Sequence, residues 1–484
     1  MTVFQDLRQW IDQAEKIGEL AVVEGADTNC EIGTITQLNA KNKGPAVVYR
    51  KIKGYPPDFR VITNMQSNIR TNNITFGMPI DNSIGDTVRS VSQMMPQWHR
   101  ETENFEPVTV ETGPIMENVV EGDKIDLNIF PVPLWHEEDG GPYIGTAVAI
   151  ITKDPDTGHV NVGTYRCQLL DNQHVGIFIA PGKGAFIHRA MNFERNQSCP
   201  MVMVFGIDPL LFALSCHEMP QSVCELSYHG AVLGKAMPVI MGKTTGLPIP
   251  ANAEIAIEGF VDPSDTMLEG PFGEWTGYYA GGQTQQSFLK PNTLYYRNDP
   301  VLSGSPPAKT NYSDHNLMRA IWRSGLLYNE LAENNVQDVK GVWYAPAGGT
   351  RYLQIISLKQ RYAGHAAKAG HIASQGRSGA FHGRYTIIVD EDVDPYDLED
   401  VMWAVGSRSN PAEIDIIQKG WTSHLDPILR KPTKDLTRPR GIIYAVKPFE
   451  WKDEFAAVNV ASEKARKEAF SKWKGVFGDR WETI

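Results

Sequence analysis

TAVAIITKD (residues 146–154), MVMVFGID (201–208) and AEIAIEGFV (253–261) decide the fold of this chain. Each is a short β-rich run bounded by Pro, Gly or Asp, and HVGIFIAP (174–181) and MPVIMGKT (237–244) repeat the texture between about Val108 and Tyr296. Many short strands punctuated by turn residues predict a β-barrel at the centre of the chain. FPVPLWHEEDGGPY (130–143), with three prolines and two adjacent glycines, is a fixed irregular connector. Such a loop either frames a site or only links strands.

Outward from this centre the pattern changes on both sides. Thr2 and Gln5 resemble a capping box, and Leu7, Ile11 and Ala14 recur at helical spacing until Gly18 supplies a stop. PAVVYRKI (45–52) and FRVITNM (59–65) predict strands, and a helical pattern surrounds Ile84 to Met95. From about Asp314 helical and strand patterns alternate again, and RYTIIVDEDVDP (384–395) is a buried strand running into an acidic turn and then a helix. The expected organisation is a mixed α/β (α+β) chain: an N-terminal α/β region over 1–107, a strand-rich domain over 108–313 and a C-terminal α/β domain over 314–484. In the final helix, 462–477, Ala465, Ala469 and Trp473 form a stripe that packs either on a partner subunit or on its own chain.

A length of 484 residues exceeds what one core organises, which agrees with several domains. A net charge of −11 argues against a nucleic-acid partner, since such a partner requires clustered Lys and Arg. Small-molecule chemistry is the expectation. Five cysteines without CxxC spacing predict reduced thiols. No apolar signal core opens the sequence and no run reaches the roughly 18 apolar residues of a membrane span, so the cytoplasm is the expected location.

Polar residues concentrate in the strand-rich middle. In NVGTYR (161–166), read as one strand, Asn161 and Arg166 fall on opposite faces unless the strand is bulged or bent. APGKGAFIHR (180–189) carries Gly182 and Gly184, which allow close backbone approach to a phosphate, and Lys183, which could neutralise one, but not P-loop spacing. SCHEMPQSVCELSYHG (215–230) offers His217, Cys216 and Cys224 at spacings that match no common zinc pattern. A hard-cation site from Asn161, His188 and Glu225 is chemically more consistent, because Mn2+ and Mg2+ prefer oxygen ligands and Mn2+ accepts imidazole. In LEGPFGEWTGYY (268–279), Glu269 and Glu274 bracket a Gly-Pro-Phe-Gly turn. They form either an acid-base pair whose pKa values are driven apart or two solvated surface acids.

NVGTYR, CELSYHGAVLGK (224–235), PANAEIAIEG (250–259) and LEGPFGEWTGYY, in this order and at these separations, resemble the UbiD-type decarboxylases, a family that includes ferulic acid decarboxylase and pyrrole-2-carboxylate decarboxylase. FPVPLWHEEDGG and VDEDVDPYDLEDVMWAVGSR (389–408) extend the resemblance over nearly the whole chain. It implies a central split β-barrel that binds prenylated FMN, made by a separate flavin prenyltransferase, between N-terminal and C-terminal α/β regions. The C-terminal domain would build a homodimer or higher homo-oligomer. Asn161, His188 and Glu225 would hold Mn2+ (or Mg2+) against the cofactor phosphate, with K+ nearby. Thr164, Tyr165, Arg166, Lys183, Ser215, Cys216, His217 and Arg384 would complete the cofactor site. The family often places a lysine where Arg384 stands, and arginine would meet a phosphate as a rigid fork rather than a point charge.

The implied reaction is reversible, non-oxidative decarboxylation of an aromatic, heteroaromatic or α,β-unsaturated acid through a covalent adduct with the prenylated flavin. Loss of CO2 from an sp2 carbon needs an electron sink that ordinary side chains lack. Arg166, Glu269 and Glu274 would be the catalytic trio, with Glu274 delivering the proton that replaces the carboxyl group. A split-barrel FMN reductase, or an inactive flavin-binding subunit of a carboxylase complex, would also explain the barrel. Neither needs the trio. In PPAKTNYSDHNLM (306–318), Asn311, His315 and Asn316 either line the substrate pocket, hinting at a polar or heteroaromatic acid, or lie on the surface.

Overall fold

A computed structural model describes residues 4–220, 222–430, 433–478 and 481. Its frame is a nine-stranded sheet that curls around one side of a cleft. Eight strands run in the order Tyr143–Gly145, Cys167–Leu169, Val175–Ile177, Thr284–Tyr296, Ile255–Glu269, Cys199–Phe205, Val148–Lys153 and Val160–Gly163, and Asn118–Glu121 adds to Thr284–Tyr296. The order does not close on itself, so this is an open half-barrel. Two of its strands are apolar on both faces over Val148–Ile151 and Met201–Phe205 because both faces are covered. Ala147, Ala149, Ile151, Val202 and Val204 join one core, and their neighbours Val148, Ile150, Met201 and Met203 join another.

The small α/β region before it packs helix Leu7–Lys16 over a four-stranded sheet. Asp6 caps that helix, its carboxylate accepting from Gln9 N at 2.9 Å, and the chain reverses at Gly18 with φ 76°. Thr2, half of the expected capping box, lies outside the described residues. The fourth strand of this sheet, Val301–Ser303, comes from far along the chain and pairs in parallel with Arg60–Thr63. After it, helix His315–Glu333 leads into a five-stranded sheet ordered Val339–Tyr344, Leu353–Leu358, Tyr385–Asp390, Thr437–Ala445 and Asp415–Trp421. The expected strand within 384–395 is Tyr385–Asp390, and the acidic turn after it leads into helix Leu398–Arg408.

Two local expectations are corrected. MPVIMGKT does not join the half-barrel. Pro238–Met241 pairs instead with Pro248–Pro250 and Val108–Thr109 in a separate three-stranded sheet, and its Val239 and Ile240 pack into the core that one face of the half-barrel shares with the helices. NVGTYR is not one strand. Pairing stops at Gly163, where the Tyr165 ring folds back so closely that a Cβ on Gly163 would stand 2.4 Å from its hydroxyl, and Thr164 N donates to Ser215 O. The break turns Asn161 and Arg166 toward the same cleft.

Helix Glu463–Phe477 forms as expected, with Ser462 capping it through Ala465 N, and none of its residues is buried. Its Trp473 stripe is therefore not covered by the chain's own core. No helix among the described residues is long and apolar enough to cross a membrane.

Candidate active site

A cleft of about 1600 Å3 separates the half-barrel from the C-terminal sheet. Of the residues singled out in the sequence, Asn161, Thr164, Tyr165, Arg166, Lys183, His188, Ser215, Cys216, His217, Glu225 and Glu274 line it. Glu269 stands one layer behind. Arg384 does not line it. Its guanidinium is held by Asp426 at 2.5 Å and stacks 4.4 Å over the Tyr352 ring.

Glu269 and Glu274 are not surface acids: they are 1% and 8% exposed. Strand Ile255–Glu269 ends at the first, and the turn through Phe272 returns the second to the same guanidinium. Arg166 donates from Nε and NH2 to the two oxygens of Glu269 at 2.7 and 2.8 Å, and from NH1 to Glu274 Oε1 at 2.5 Å. This is a fork-to-carboxylate pair with a second acid on the remaining edge. Burial acts against the Arg166 charge, but the hydrogen bonds and charges of Glu269 and Glu274 outweigh it and raise its pKa. The guanidinium face rests 4.4 Å over Phe178. Tyr143 donates to Glu269 Oε1 at 2.8 Å and stacks on Phe272 at 3.9 Å, which fixes the far side of the trio. Burial, with the nearby Glu269 carboxylate, pushes the Tyr143 phenol up, so it remains a donor.

Asn161, His188 and Glu225 come from three elements. Asn161 lies on strand Val160–Gly163, His188 on helix Gly184–Glu194 and Glu225 at the start of helix Glu225–Leu233. His188 Nδ1 shares a 3.0 Å hydrogen bond with Thr152 Oγ1, which orients the ring and leaves Nε2 for a ligand. Glu225 Oε2 accepts from Val162 N at 2.8 Å, yet burial dominates and pushes its pKa up to about 8. Among the described residues Glu225 is in no ion pair, and the Asn161 amide nitrogen is buried without a partner. A buried carboxylate, an amide and an oriented imidazole fit a hard divalent cation, whose charge would compensate Glu225. Among the described residues no cluster of three His, Cys, Asp or Glu could hold a metal ion, so the set depends on the Asn161 amide.

The loop beside this set fits a phosphate. Gly182 has φ 84°, and a Cβ on Gly184 would stand 2.0 Å from Asn161 Oδ1, so both glycines are required. Lys183 pairs with Glu218 across the cleft. His217 Nδ1 donates to Ala213 O at 2.7 Å, leaving a buried Nε2 without a partner.

Of the three residues proposed from 306–318, His315 lines the cleft, Asn311 is exposed and Asn316 is buried, donating to Thr310 O at 2.8 Å. Arg319, Arg351 and His382 also line the cleft and escaped the sequence reading. For Arg319 a signal existed: His315, Arg319 and Arg323 recur every four residues along a helix whose other buried positions are mostly apolar.

Residues 106–310 match the 3-octaprenyl-4-hydroxybenzoate carboxy-lyase Rift-related domain (UbiD), residues 316–443 the C-terminal domain and residues 11–91 the N-terminal domain of the same enzyme. The pyrrole-2-carboxylic acid decarboxylase of Pseudomonas aeruginosa is 29% identical over 425 residues, covering 84% of this chain and 83% of that protein. The UbiD-class enzyme HmfF from Pelotomaculum thermopropionicum, solved in complex with FMN, superposes with a TM-score of 0.83 at 26% identity over 95% of this chain and 98% of that one. An evolved dimeric form of HmfF in complex with prFMN gives 0.80 at 26% identity over 94% and 97%.

Proposed function

The chain belongs to the UbiD family of carboxy-lyases, and from that membership we propose that it decarboxylates an aromatic, heteroaromatic or α,β-unsaturated acid without net oxidation, using Glu274 as proton donor. The observation that carries this reading is the single guanidinium of Arg166 bound to both Glu269 and Glu274 in a buried corner of the cleft.

Prenylated FMN, when bound, supplies the electron sink for the pair released as the C–CO2 bond breaks. Gly182, Gly184 and Lys183 would seat its phosphate, with Asn161, His188 and Glu225 holding Mn2+ or Mg2+ against it. Arg166 orients the substrate carboxylate and balances the trio's negative charge. Glu269 is held on both oxygens by Arg166 and on one by Tyr143, behind the cleft wall, which leaves Glu274, on that wall, as the acid placed to deliver a proton. Glu274 transfers that proton to the carbon that lost CO2 and recovers one from solvent. The sum is R–COO− + H+ → R–H + CO2. Phe178 and Phe272 keep water from the corner where the proton moves.

A flavin reductase or an inactive flavin-binding subunit gives the buried trio nothing to do. The test is headspace CO2 from protein co-expressed with a flavin prenyltransferase and supplied with Mn2+, against cinnamic, phenolic, indole, pyrrole, pyridine and benzene carboxylic acids. CO2 release that depends on the prenyltransferase supports the reading. No release from any acid, with prenylated flavin verified in the protein, would overturn it.

A further inference from the structure

The cleft holds more positive charge than the reaction above uses. Arg319, on helix His315–Glu333, and Arg351, just ahead of strand Leu353–Leu358, both line it, and Arg323 stands one helical turn behind Arg319. Among the described residues none of the three is in an ion pair. Arg319 donates only to Cys216 Sγ, at 3.7 Å. Arg323 lies 6.0 Å over the Tyr344 ring, and Arg351 lies 5.5 Å over Trp275 and 5.6 Å over Phe381. The Nε atoms of Arg319 and Arg323 are buried without a partner. Arg166 and Arg408, by contrast, are each held by two carboxylates, and the buried Arg440 by four backbone carbonyls.

Burial, reinforced by Arg323 and Arg319, drives the Arg351 pKa well below the usual guanidinium value. The acid whose field reaches Arg323 and Arg351 is Glu218, which is taken by Lys183. His382 and His315 do not relieve the excess. Burial, and then the neighbouring arginines, hold His382 down at about 2 and His315 far below its ordinary value, so both stay neutral. Cations gathered without a counter-ion in a low-dielectric wall repel one another, and an anion among them removes the repulsion.

Two anions enter this cleft, the flavin phosphate and the substrate. The phosphate has the seat built by the Gly182–Gly184 loop and the Asn161, His188 and Glu225 set. Arg351, in contrast, rests on the ring of Trp275, the residue that follows Glu274, which puts the arginine wall on the substrate's side. We propose that Arg319 and Arg351, backed by Arg323, bind a second carboxylate of the substrate, and that the enzyme acts on an aromatic or heteroaromatic dicarboxylic acid from which it removes one carboxyl group. This rests on the decarboxylase reading. The step stays balanced: one C–CO2 bond breaks, one proton from Glu274 takes its place, and the carboxylate on the arginines leaves unchanged on the product.

The test compares mono- and dicarboxylic acids on the same ring, benzoate against its dicarboxylate isomers and pyridine monocarboxylates against dicarboxylates, with the prenylated-flavin holoenzyme. The expected result is a kcat/KM at least about 100-fold higher for a dicarboxylate than for its monocarboxylate. Arg319→Gln and Arg351→Gln should each lower kcat/KM for that dicarboxylate by about 30-fold or more, chiefly through KM, with flavin content unchanged. The ligand-free variants should melt no lower than the parent, since each loses a repulsive charge; a large loss of stability would make the arginines structural and overturn the proposal. Loss of bound flavin in either variant would assign the cluster to the cofactor phosphate. Equal kcat/KM for the two acid classes would also overturn it. Binding read by flavin fluorescence separates the two readings: preferential binding of a dicarboxylate without CO2 release refutes the decarboxylase reading and upholds the arginine site, whereas equal affinity for both classes refutes the site.

Discussion

Arg166 and Arg408 each stand between two carboxylates, and the difference between the two knots separates a working site from a structural one. Arg408 bonds Asp390 at 3.1 Å and Asp392 at 2.7 and 3.0 Å. Lys447 adds Nζ to Asp392 and its backbone N to Asp390, and Gln360 donates to Asp390 Oδ1. Every partner there is supplied by the fold, and none of these residues lines the cleft. Around Arg166 one acid is locked by Tyr143 while the other, Glu274, forms part of the cleft wall. The ion pairing is alike in both, although Asp392 is exposed where Glu269 and Glu274 are buried. What differs is whether an acid meets the space where a substrate can sit.

Breaking each knot should therefore give opposite phenotypes. Arg166→Met is expected to lower kcat by at least about 10³-fold while the protein still folds and binds flavin, read by steady-state CO2 release and visible absorbance. Arg408→Met should destabilise the fold by about 3–5 kcal/mol, since it leaves Asp390 buried without its main cation, and change kcat of the folded fraction little. Denaturant melts beside activity per bound flavin distinguish the two. Equal losses of activity in both variants would erase the contrast.

A finer comparison concerns how His188 is held. Thr152→Val removes the hydroxyl that orients the imidazole, and Mn2+ affinity should fall about 10- to 100-fold, measured by electron paramagnetic resonance titration. The smallest effect belongs to the structural knot. Burial works against the Asp392 charge, but the bonds from Arg408 and Lys447 prevail and hold its pKa at about 2. A carboxylate depressed in the folded state stabilises it above the unfolded value of about 3.9 and loses that contribution as pH falls toward 2. Asp392→Asn should flatten the stability curve in that acid window and leave neutral pH activity unchanged. An unaltered acid limb would show that Asp392 does not carry it.

The half-barrel was legible because its strands are short, apolar and separated by turn residues, and the strand and helix within 384–408 because burial and capping agree there. MPVIMGKT misled because a strand's period does not reveal which sheet it joins. NVGTYR misled because the break at Gly163 is imposed by Tyr165 and Ser215, not by a local breaker. Glu269 and Glu274 were noticeable as a pair, but the proximity that matters runs through Arg166, more than a hundred residues earlier. Arg351 carried no signal at all, since its environment is Trp275 and Phe381 from other parts of the chain.

The most direct test of the central claim is turnover in D2O by wild type and Glu274→Gln, both with the same prenylated-flavin spectrum. Wild type should release CO2 and place one deuterium on the carbon that lost it, whereas Glu274→Gln should bind cofactor and give no product. Substantial turnover by the variant, with deuterium still delivered to that carbon, would contradict the assignment of Glu274 as the proton donor.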